Sequence, residues 1–230
     1  SAARGTDGSD VSALVATADG DFYRGFDRTI VQGLTDEHFL ELDLGDLSDA
    51  KQVTLFLTGW LHPTDSSLNV SFTDHPTRDA PPAPELQVPD GNGGWRAIET
   101  PMGFPGGKTK TIAVDLAPLL PTADGRLRIV TTAELYWDEA FFTVDEPPAE
   151  VVSTDLVMLA ADLRYRGFSE REPIAPNSPE RFRYDRVSTE PAWPPMRGRM
   201  TGYGDVLKLL AKADDRMVVM AAGDEIDLVF

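Results

Sequence analysis

Apolar and polar residues alternate along much of the chain from residue 39 onward. Leucines alternate with acids in FLELDLG (residues 39–45), and the same period of two runs through TIAVDL (111–116) and RLRIV (126–130). A period of two is typical of strands with one buried face. The segment QVTLFLTGW (52–60) is apolar on both faces, because Phe56 opposes its aliphatic residues, and it predicts a central strand buried on both sides.

Turn-forming residues separate these runs. LGDLSDA, PDGNGG, FPGGK and TADGR supply the glycine, proline, aspartate and asparagine residues that chain reversals use. We interpret PDGNGG and FPGGK as hairpin turns. Many short strands without long helices between them predict an all-β fold, an antiparallel β-sandwich of the jelly-roll type over about residues 36–150.

One short segment occurs twice in the chain. SDVSALVATADGDF (9–22) is similar to GDVLKLLAKADDRM (204–217), and each has aliphatic residues at i, i+3, i+4 and i+7. That spacing predicts one apolar stripe on a short helix. Asp10 and Asp205 immediately precede the two stripes, where a carboxylate can cap the free amides of a first helical turn.

A similar strand follows both copies of the segment. The tripeptide LEL (40–42) is matched by IDL (226–228). We interpret the match as a duplication, in which a helix plus a hairpin in residues 204–230 begin a second related unit. The alternative is that a generic capped helix arose twice by chance.

Residues 166–203 differ in composition from the rest of the chain. They are rich in proline and arginine and contain aromatic residues, and the density of proline disfavours regular structure. We predict an ordered arm that lies over an acidic β-sandwich domain of residues 1–165 and pairs its arginines with surface carboxylates. The alternative is a docking surface for an acidic partner, centred on Arg181, Arg183 and Arg186.

Charge and composition restrict the partners. The 230 residues include 38 acids and 21 lysines and arginines, a net charge of −17, which repels nucleic acid and anionic lipid. No apolar run approaches the ~20 residues of a membrane span, and the N-terminus lacks the layout of a signal peptide. Cysteine is absent, which excludes disulfides and thiolate sites. We expect no nucleic-acid partner and no membrane insertion.

Acidic residues are the better candidates for binding a metal. His38, His62 and His75 lack the close spacing of a metal site. Hard cations such as Ca²⁺ bind carboxylate and carbonyl oxygens. The candidate calcium ligands lie in the corresponding turns of the two similar segments and are Asp19, Asp21, Asp214 and Asp215. Turns at helix ends are the alternative explanation for these aspartates, and an EF-hand spacing is absent.

Catalysis by carboxylates is the alternative class of function. A glycoside hydrolase needs two carboxyl groups about 5–9.5 Å apart, and Asp138 with Glu139 beside Trp137, or Asp65 beyond Trp60, are the candidates. Side chains alternate along a strand, so Asp138 and Glu139 are expected to face opposite ways. No G-x-S-x-G or Walker sequence occurs. We therefore expect that the chain is not an enzyme.

Carbohydrate binding would use an exposed aromatic ring with polar groups around it. Trp60 precedes the polar loop LHPTDSS, and Trp95 follows a glycine-rich turn. The candidate ligand-binding residues are therefore Trp60, His62, Asp65 and Trp95. The alternative is that both tryptophans pack at the edges of the sandwich.

Four distinctive motifs lie along the chain: GWxxPTDSS (59–67), GFPxGxxKT (103–111), YWD (136–138) and GDVxxLLxxADD (204–215). With their neighbouring strands they resemble a β-rich region toward the C-terminus of large bacterial proteins that carry tetratricopeptide repeats or FG-GAP propeller repeats, some with the ASPIC/UnbV module. The resemblance covers most of residues 8–230. The stretch from LDLGDL to YWDEAFF also resembles a galactose-binding-like jelly roll.

This resemblance implies a non-catalytic accessory domain of a large multidomain protein that is extracellular or periplasmic. It supplies no catalytic residues, and the sugar-binding residues of galactose-binding-like folds sit on variable loops. The implied partners are other domains of the same chain, another protein or a glycan.

Overall fold

The chain forms two compact units, as seen in a computed structural model. The described residues are 2–74, 83–147, 149–173, 180–191 and 197–230. Unit 1 comprises the described residues up to 147, and unit 2 comprises those from 149 onward. The division therefore lies before the boundary of 165 that composition indicated.

Unit 1 is built from antiparallel strands in two sheets. Its strands are β1 (Ala2–Arg4), β2 (Leu34–Asp43), β3 (Val53–Leu61), β4 (Glu85–Pro89), β5 (Trp95–Ile98), β6 (Lys110–Asp115), β7 (Arg126–Ala133) and β8 (Leu135–Val144). One sheet has the order β1-β2-β7-β4-β5, and the other has the order β6-β3-β8. The prediction of an antiparallel all-β fold is confirmed.

One hydrophobic core takes side chains from both sheets of unit 1. Leu40 and Leu127 come from the five-stranded sheet, and Leu55, Leu57 and Val114 come from the three-stranded sheet. All five are at most 1% exposed. Two sheets that share one core are the arrangement expected of a β-sandwich.

The predicted strands occur where the period of two placed them. β3 is the centre of its sheet, and its aliphatic face is buried as predicted. Phe56 on its other face is only half-buried and stacks on Phe141 of β8 with ring centroids 4.8 Å apart. The prediction that this strand is buried on both sides is therefore wrong at Phe56.

The two glycine-rich turns have different roles. DGNGG (90–94) is a hairpin turn between β4 and β5, and Asp90 stabilises it by accepting from the N–H groups of Asn92 and Gly94 at 2.7 and 2.8 Å. FPGGK (104–108) leads from β5 in one sheet to β6 in the other. It is not a hairpin turn, which corrects the prediction.

The helices are short. They are α1 (Ser66–Asp74), α2 (Leu207–Leu210) and the 3-10 helices Ser12–Val15 and Ala117–Leu119. The two predicted helices of the similar segments thus reduce to single turns. After the first of them, Ala16 forms an antiparallel bridge to Glu139, and this sheet contact replaces further helical hydrogen bonds. Within the described residues, no helix is long and apolar enough to cross a membrane.

Unit 2 contains two small sheets. Its strands are β9 (Ala160–Tyr165), β10 (Phe168–Pro173), β11 (Glu180–Ser188), β12 (Gly204–Asp205) and β13 (Asp224–Val229). The order β12-β9-β13 forms one sheet, and β10 pairs with β11 in a hairpin. The hairpin therefore lies in the predicted irregular arm of 166–203. Residues 204–230 contain the helical turn and strands that pair with β9, and not the predicted hairpin.

Candidate ligand-binding site

Three aromatic rings meet where β3 ends and β8 begins in unit 1. The Trp60 ring lies 5.3 Å from His62 and 5.5 Å from Tyr136, measured between ring centroids. The cross-strand pairing of Trp60 with Tyr136 brings them together. Trp60 Nε1 also donates to the carbonyl of Gly107 at 2.8 Å, which fixes the indole against the loop that precedes β6.

A groove of about 500 Å³ lies beside these rings and is lined by parts of several loops. Its walls are mainly apolar, and Phe104 on its rim is 49% exposed. The polar side chains in the lining are His62, Thr64 and Asn69. Thr64 Oγ1 donates to Asn69 Oδ1 at 2.7 Å, so the start of α1 is tied to one wall.

Gly33 allows two loops to meet at the groove. Its φ of +76° is in the left-handed region, and a Cβ at this position would lie 2.7–2.9 Å from backbone atoms of His62, Pro63 and Thr64. A side chain therefore cannot fit without moving the loop. Gln32 adds a hydrogen bond from its Nε2 to the carbonyl of Pro63 at 2.8 Å.

An ionic network lies next to the groove. Glu134 is buried, and its Oε1 accepts from the Tyr136 hydroxyl at 2.5 Å and pairs with Arg28 Nε at 2.8 Å. Arg28 also donates to the Tyr136 oxygen at 2.7 Å. Burial and the neighbouring Glu134 raise the pKa of Tyr136 to about 12. The backbone of Glu134 joins the network to the groove, because its carbonyl accepts from His62 N–H at 2.9 Å.

His38 is buried beside this network and was not expected there from the sequence. Its side chain is 3% exposed and packs on Phe26 at 4.6 Å between ring centroids. Nδ1 is 3.0 Å from Thr35 Oγ1, whereas Nε2 is buried with no hydrogen-bond partner among the described residues. Burial lowers the pKa of His38 below its usual value of 6.5.

We expect the buried His38 to make the fold less stable in acid. Because the pKa is lowered in the folded state, the unfolded chain binds more protons as the pH falls below about 6.5. We expect the contribution of His38 to the free energy of unfolding to be constant above that pH and to fall below it by up to ~1.4 kcal/mol per pH unit. In His38→Phe the dependence should be flatter, as measured by urea denaturation between pH 5 and 8. Parallel curves for the two proteins would contradict this.

Of the predicted ligand-binding residues, the structure brings two together. His62 lines the groove, and Trp60 contacts the His62 ring. Asp65 is exposed and caps α1, where its carboxylate accepts from Leu68 N–H at 2.9 Å. Trp95 lies on the five-stranded sheet, with the Arg128 guanidinium 4.0 Å from its ring centroid. That face of Trp95 is therefore covered by Arg128.

Two of the four predicted calcium ligands accept hydrogen bonds within turns. Asp19 Oδ1 accepts from Asp21 N–H at 2.9 Å, and Asp214 Oδ1 accepts from Arg216 N–H at 2.9 Å. Asp215 is exposed. In the part of the chain that the structure describes, no three His, Asp or Glu residues form a group that could hold a metal ion. Calcium binding stays a prediction.

Asp138, one of the candidate catalytic acids, lies at a β-bulge. The pairing of β3 with β8 shifts between Thr58 and Gly59, which leaves Asp138 as the extra residue. Its Oδ1 accepts from the N–H groups of Asp19 and Gly20 at 3.2 and 2.9 Å, and its side chain is buried. Burial raises the pKa of Asp138. The neighbouring Glu139 has a different contact, with Thr58 Oγ1 at 3.5 Å.

Substitutions at Asp138 should separate its charge from its hydrogen bonds. Asp138→Ala removes the acceptor of two loop amides and should lower the free energy of unfolding by about 1–3 kcal/mol. Asp138→Asn keeps an acceptor and removes the charge. Because the pKa is raised in the folded state, ionisation costs stability as the pH rises from about 3.8 through that raised pKa.

The asparagine variant should therefore gain stability relative to the wild type over this pH range. Urea denaturation from pH 4 to 8 checks both expectations. A loss in Asp138→Asn as large as that in Asp138→Ala would show that the carboxylate charge itself holds the loop.

The arginines of the predicted docking arm lie on β11. Arg186 pairs with Glu170 at 3.2 Å, and Arg183 pairs with Glu172 at 3.5 Å. Arg181 is exposed and lies opposite Glu172 in the hairpin register. These are cross-strand pairs within the hairpin, which differs from the predicted pairing with an acidic sheet surface. Exposed pairs of this kind contribute less than ~1 kcal/mol each.

Sequence reasoning missed the network of Arg28, Glu134 and Tyr136. The burial of His38 next to that network did have a signal in the sequence, because His38 is in phase with the inward-facing Leu40 of the same strand. Arg28 and Tyr136 are far apart in the sequence, and no local pattern relates them. Scans of protein-family models, of curated proteins and of solved structures found no match to this chain.

Proposed function

We propose that the chain is a non-catalytic binding domain whose groove beside Trp60 and His62 holds a sugar ring or a ligand of similar shape. The observation that carries this proposal is the groove itself. Its volume of about 500 Å³ is within the range of small-molecule sites, and it combines apolar walls with a few polar groups. A sugar ring has the matching chemistry, since it presents an apolar C–H face and a rim of hydroxyl groups.

The rings at the groove have separate roles in this proposal. Phe104 is exposed on the rim and provides a surface for the apolar face of a sugar. His62 and Thr64 provide polar contacts. Trp60 supports the wall, because it contacts the His62 ring and holds Gly107 through its indole N–H.

The positions of the buried acids favour binding over hydrolysis. Asp138 holds the backbone amides of the 19–20 loop, and Glu134 is paired with Arg28 and Tyr136. A general acid must reach the substrate oxygen that it protonates. Both carboxylates instead have structural partners, and Glu139 contacts a threonine of the neighbouring strand.

Binding to a glycan array followed by titration calorimetry tests the proposal. We expect a glycan hit whose dissociation constant rises at least tenfold in Phe104→Ala and His62→Ala. Trp95→Ala is the matched control, because Trp95 lies on the other sheet, and its affinity should be unchanged. Absence of binding to every glycan on the array, or equal losses of affinity in Trp95→Ala and Phe104→Ala, would contradict sugar binding at the groove.

An accessory role in a larger bacterial protein, which the resemblance implies, is the wider form of this proposal. Unit 2 supports it, because many of its large apolar side chains are exposed, as docking surfaces require. Examples outside its sheets are Val151, Val152, Leu156, Val157 and Met217.

A further inference from the structure

Unit 1 opens with a strand, an aspartate-capped turn and a second strand that pairs with the first. Ala3 of β1 lies opposite Leu42 of β2. The Val11 N–H donates to the Ala3 carbonyl at 3.0 Å, and Asp10 Oδ1 accepts from Ser12 N–H at 2.9 Å. These contacts place the helical turn beside the end of β1.

Unit 2 has the same module in the same pairing register. Ala161 of β9 lies opposite Leu228 of β13. The Val206 N–H donates to the Ala161 carbonyl at 2.9 Å, and Asp205 Oδ1 accepts from Leu207 N–H at 2.9 Å. A chance recurrence of a capped turn does not require matching register in the strands around it. Each residue of this module in unit 2 can therefore be compared with its counterpart in unit 1.

The two modules differ in what covers the second strand. β7 pairs with the far edge of β2 and places Leu127 opposite Leu42. Within the described residues, β13 pairs with β9 alone. Leu42 is 5% exposed, whereas its counterpart Leu228 is 45% exposed. Two positions further on, Leu44 is 8% exposed and its counterpart Phe230 is 55% exposed.

The acidic residues of the two second strands, β2 and β13, can be compared in the same way. The outward-facing Glu41 of β2 pairs with Arg128 of β7 at 2.8 Å. Its counterpart on β13 is Asp227, which pairs with Arg164 of β9 and is 51% exposed. An incoming strand with a basic residue at the position of Arg128 would therefore meet a partly exposed carboxylate.

We propose that the free edge of β13 (Asp224–Val229) binds an extended antiparallel strand of a partner polypeptide, with the alternating pattern of β7. Aliphatic side chains of that strand cover Leu228, and arginine or lysine residues between them face Asp227. The backbone N–H and C=O groups at an unpaired strand edge supply the affinity, as in other cases of strand addition. This inference does not depend on what the groove of unit 1 binds.

A peptide of the β7 sequence, GRLRIVTTA (residues 125–133) with a fluorescent label, is the probe. We expect saturable binding to the whole chain in fluorescence anisotropy. Affinity should fall at least tenfold for Leu228→Asp and should not change for Ile30→Asp, which alters a fully exposed residue of unit 1, outside β13. A probe with glutamate in place of Leu127 and Ile129 should not bind.

Hydrogen exchange of the wild-type chain gives a readout that does not depend on the folding of any variant. The amides of 224–229 should exchange more slowly when the probe is present. Absence of saturable binding at millimolar probe, equal binding by Leu228→Asp, or unchanged exchange in β13 would overturn the proposal. A dimeric chain that becomes monomeric in Leu228→Asp would assign the edge to a second copy and would also overturn it.

Discussion

Trp137→Ala should lower the free energy of unfolding by about 3–5 kcal/mol. Trp137 is one of the largest buried side chains and is only 2% exposed. It belongs to the core that both sheets of unit 1 share. The backbone of Trp137 exchanges two hydrogen bonds with Tyr23, at 2.6 and 3.1 Å. These bonds do not involve the indole, so the loss measures the packing of the ring.

Trp95→Ala is the matched control for this substitution. Trp95 is half-buried and contacts Arg128 on the face of the sheet that points away from the core. Its removal should cost less than ~2 kcal/mol, from partial burial and one cation–π contact. Denaturant unfolding followed by far-ultraviolet circular dichroism measures both variants. Equal losses would mean that the shared core does not depend on Trp137.

Gly33→Ala should combine backbone strain with a direct clash. A residue other than glycine at φ +76° costs about 1–3 kcal/mol. The added Cβ would also lie under 3.0 Å from backbone atoms of the loop at 62–64, so that loop must move. We expect a total loss well above the cost of the backbone alone, and weaker binding of any ligand in the groove.

Gly91→Ala isolates the backbone part of this effect. Gly91 has a φ of +79°, and a Cβ there would meet nothing within 4 Å. Its variant should therefore lose only the ~1–3 kcal/mol of strain. Unfolding free energies of the two variants, with ligand titration of each, make the comparison. Similar losses in both would show that the approach of the loops at Gly33 does not constrain the groove.

Local patterns predicted the strands because a strand with one buried face needs only an apolar residue at every second position. Leu40 and Leu42 are buried, and Glu41 between them pairs with Arg128 on the outer face, as the period of two indicates. The turn at Asp90 was also predictable, because its hydrogen bonds lie within four residues.

Local patterns did not predict the structure where distant contacts compete with local preference. The helical turn at Ser12–Val15 stops because Ala16 bridges to Glu139 in another strand. The proline-rich arm contains the β10–β11 hairpin. Pairing between its two strands supplies the backbone hydrogen bonds of regular structure, which the proline content was expected to prevent.

By itself the sequence determined the antiparallel strands, the capped turns at Asp10 and Asp205, and the closeness of Trp60 to His62 at the end of β3, since these depend on residues close together in the chain. Only the tertiary structure decided the groove, the network of Glu134 and Tyr136, and the uncovered edge of β13. Each of these depends on which strands and loops become neighbours. Sheet pairing joins residues that are far apart in sequence, and no local period records that choice.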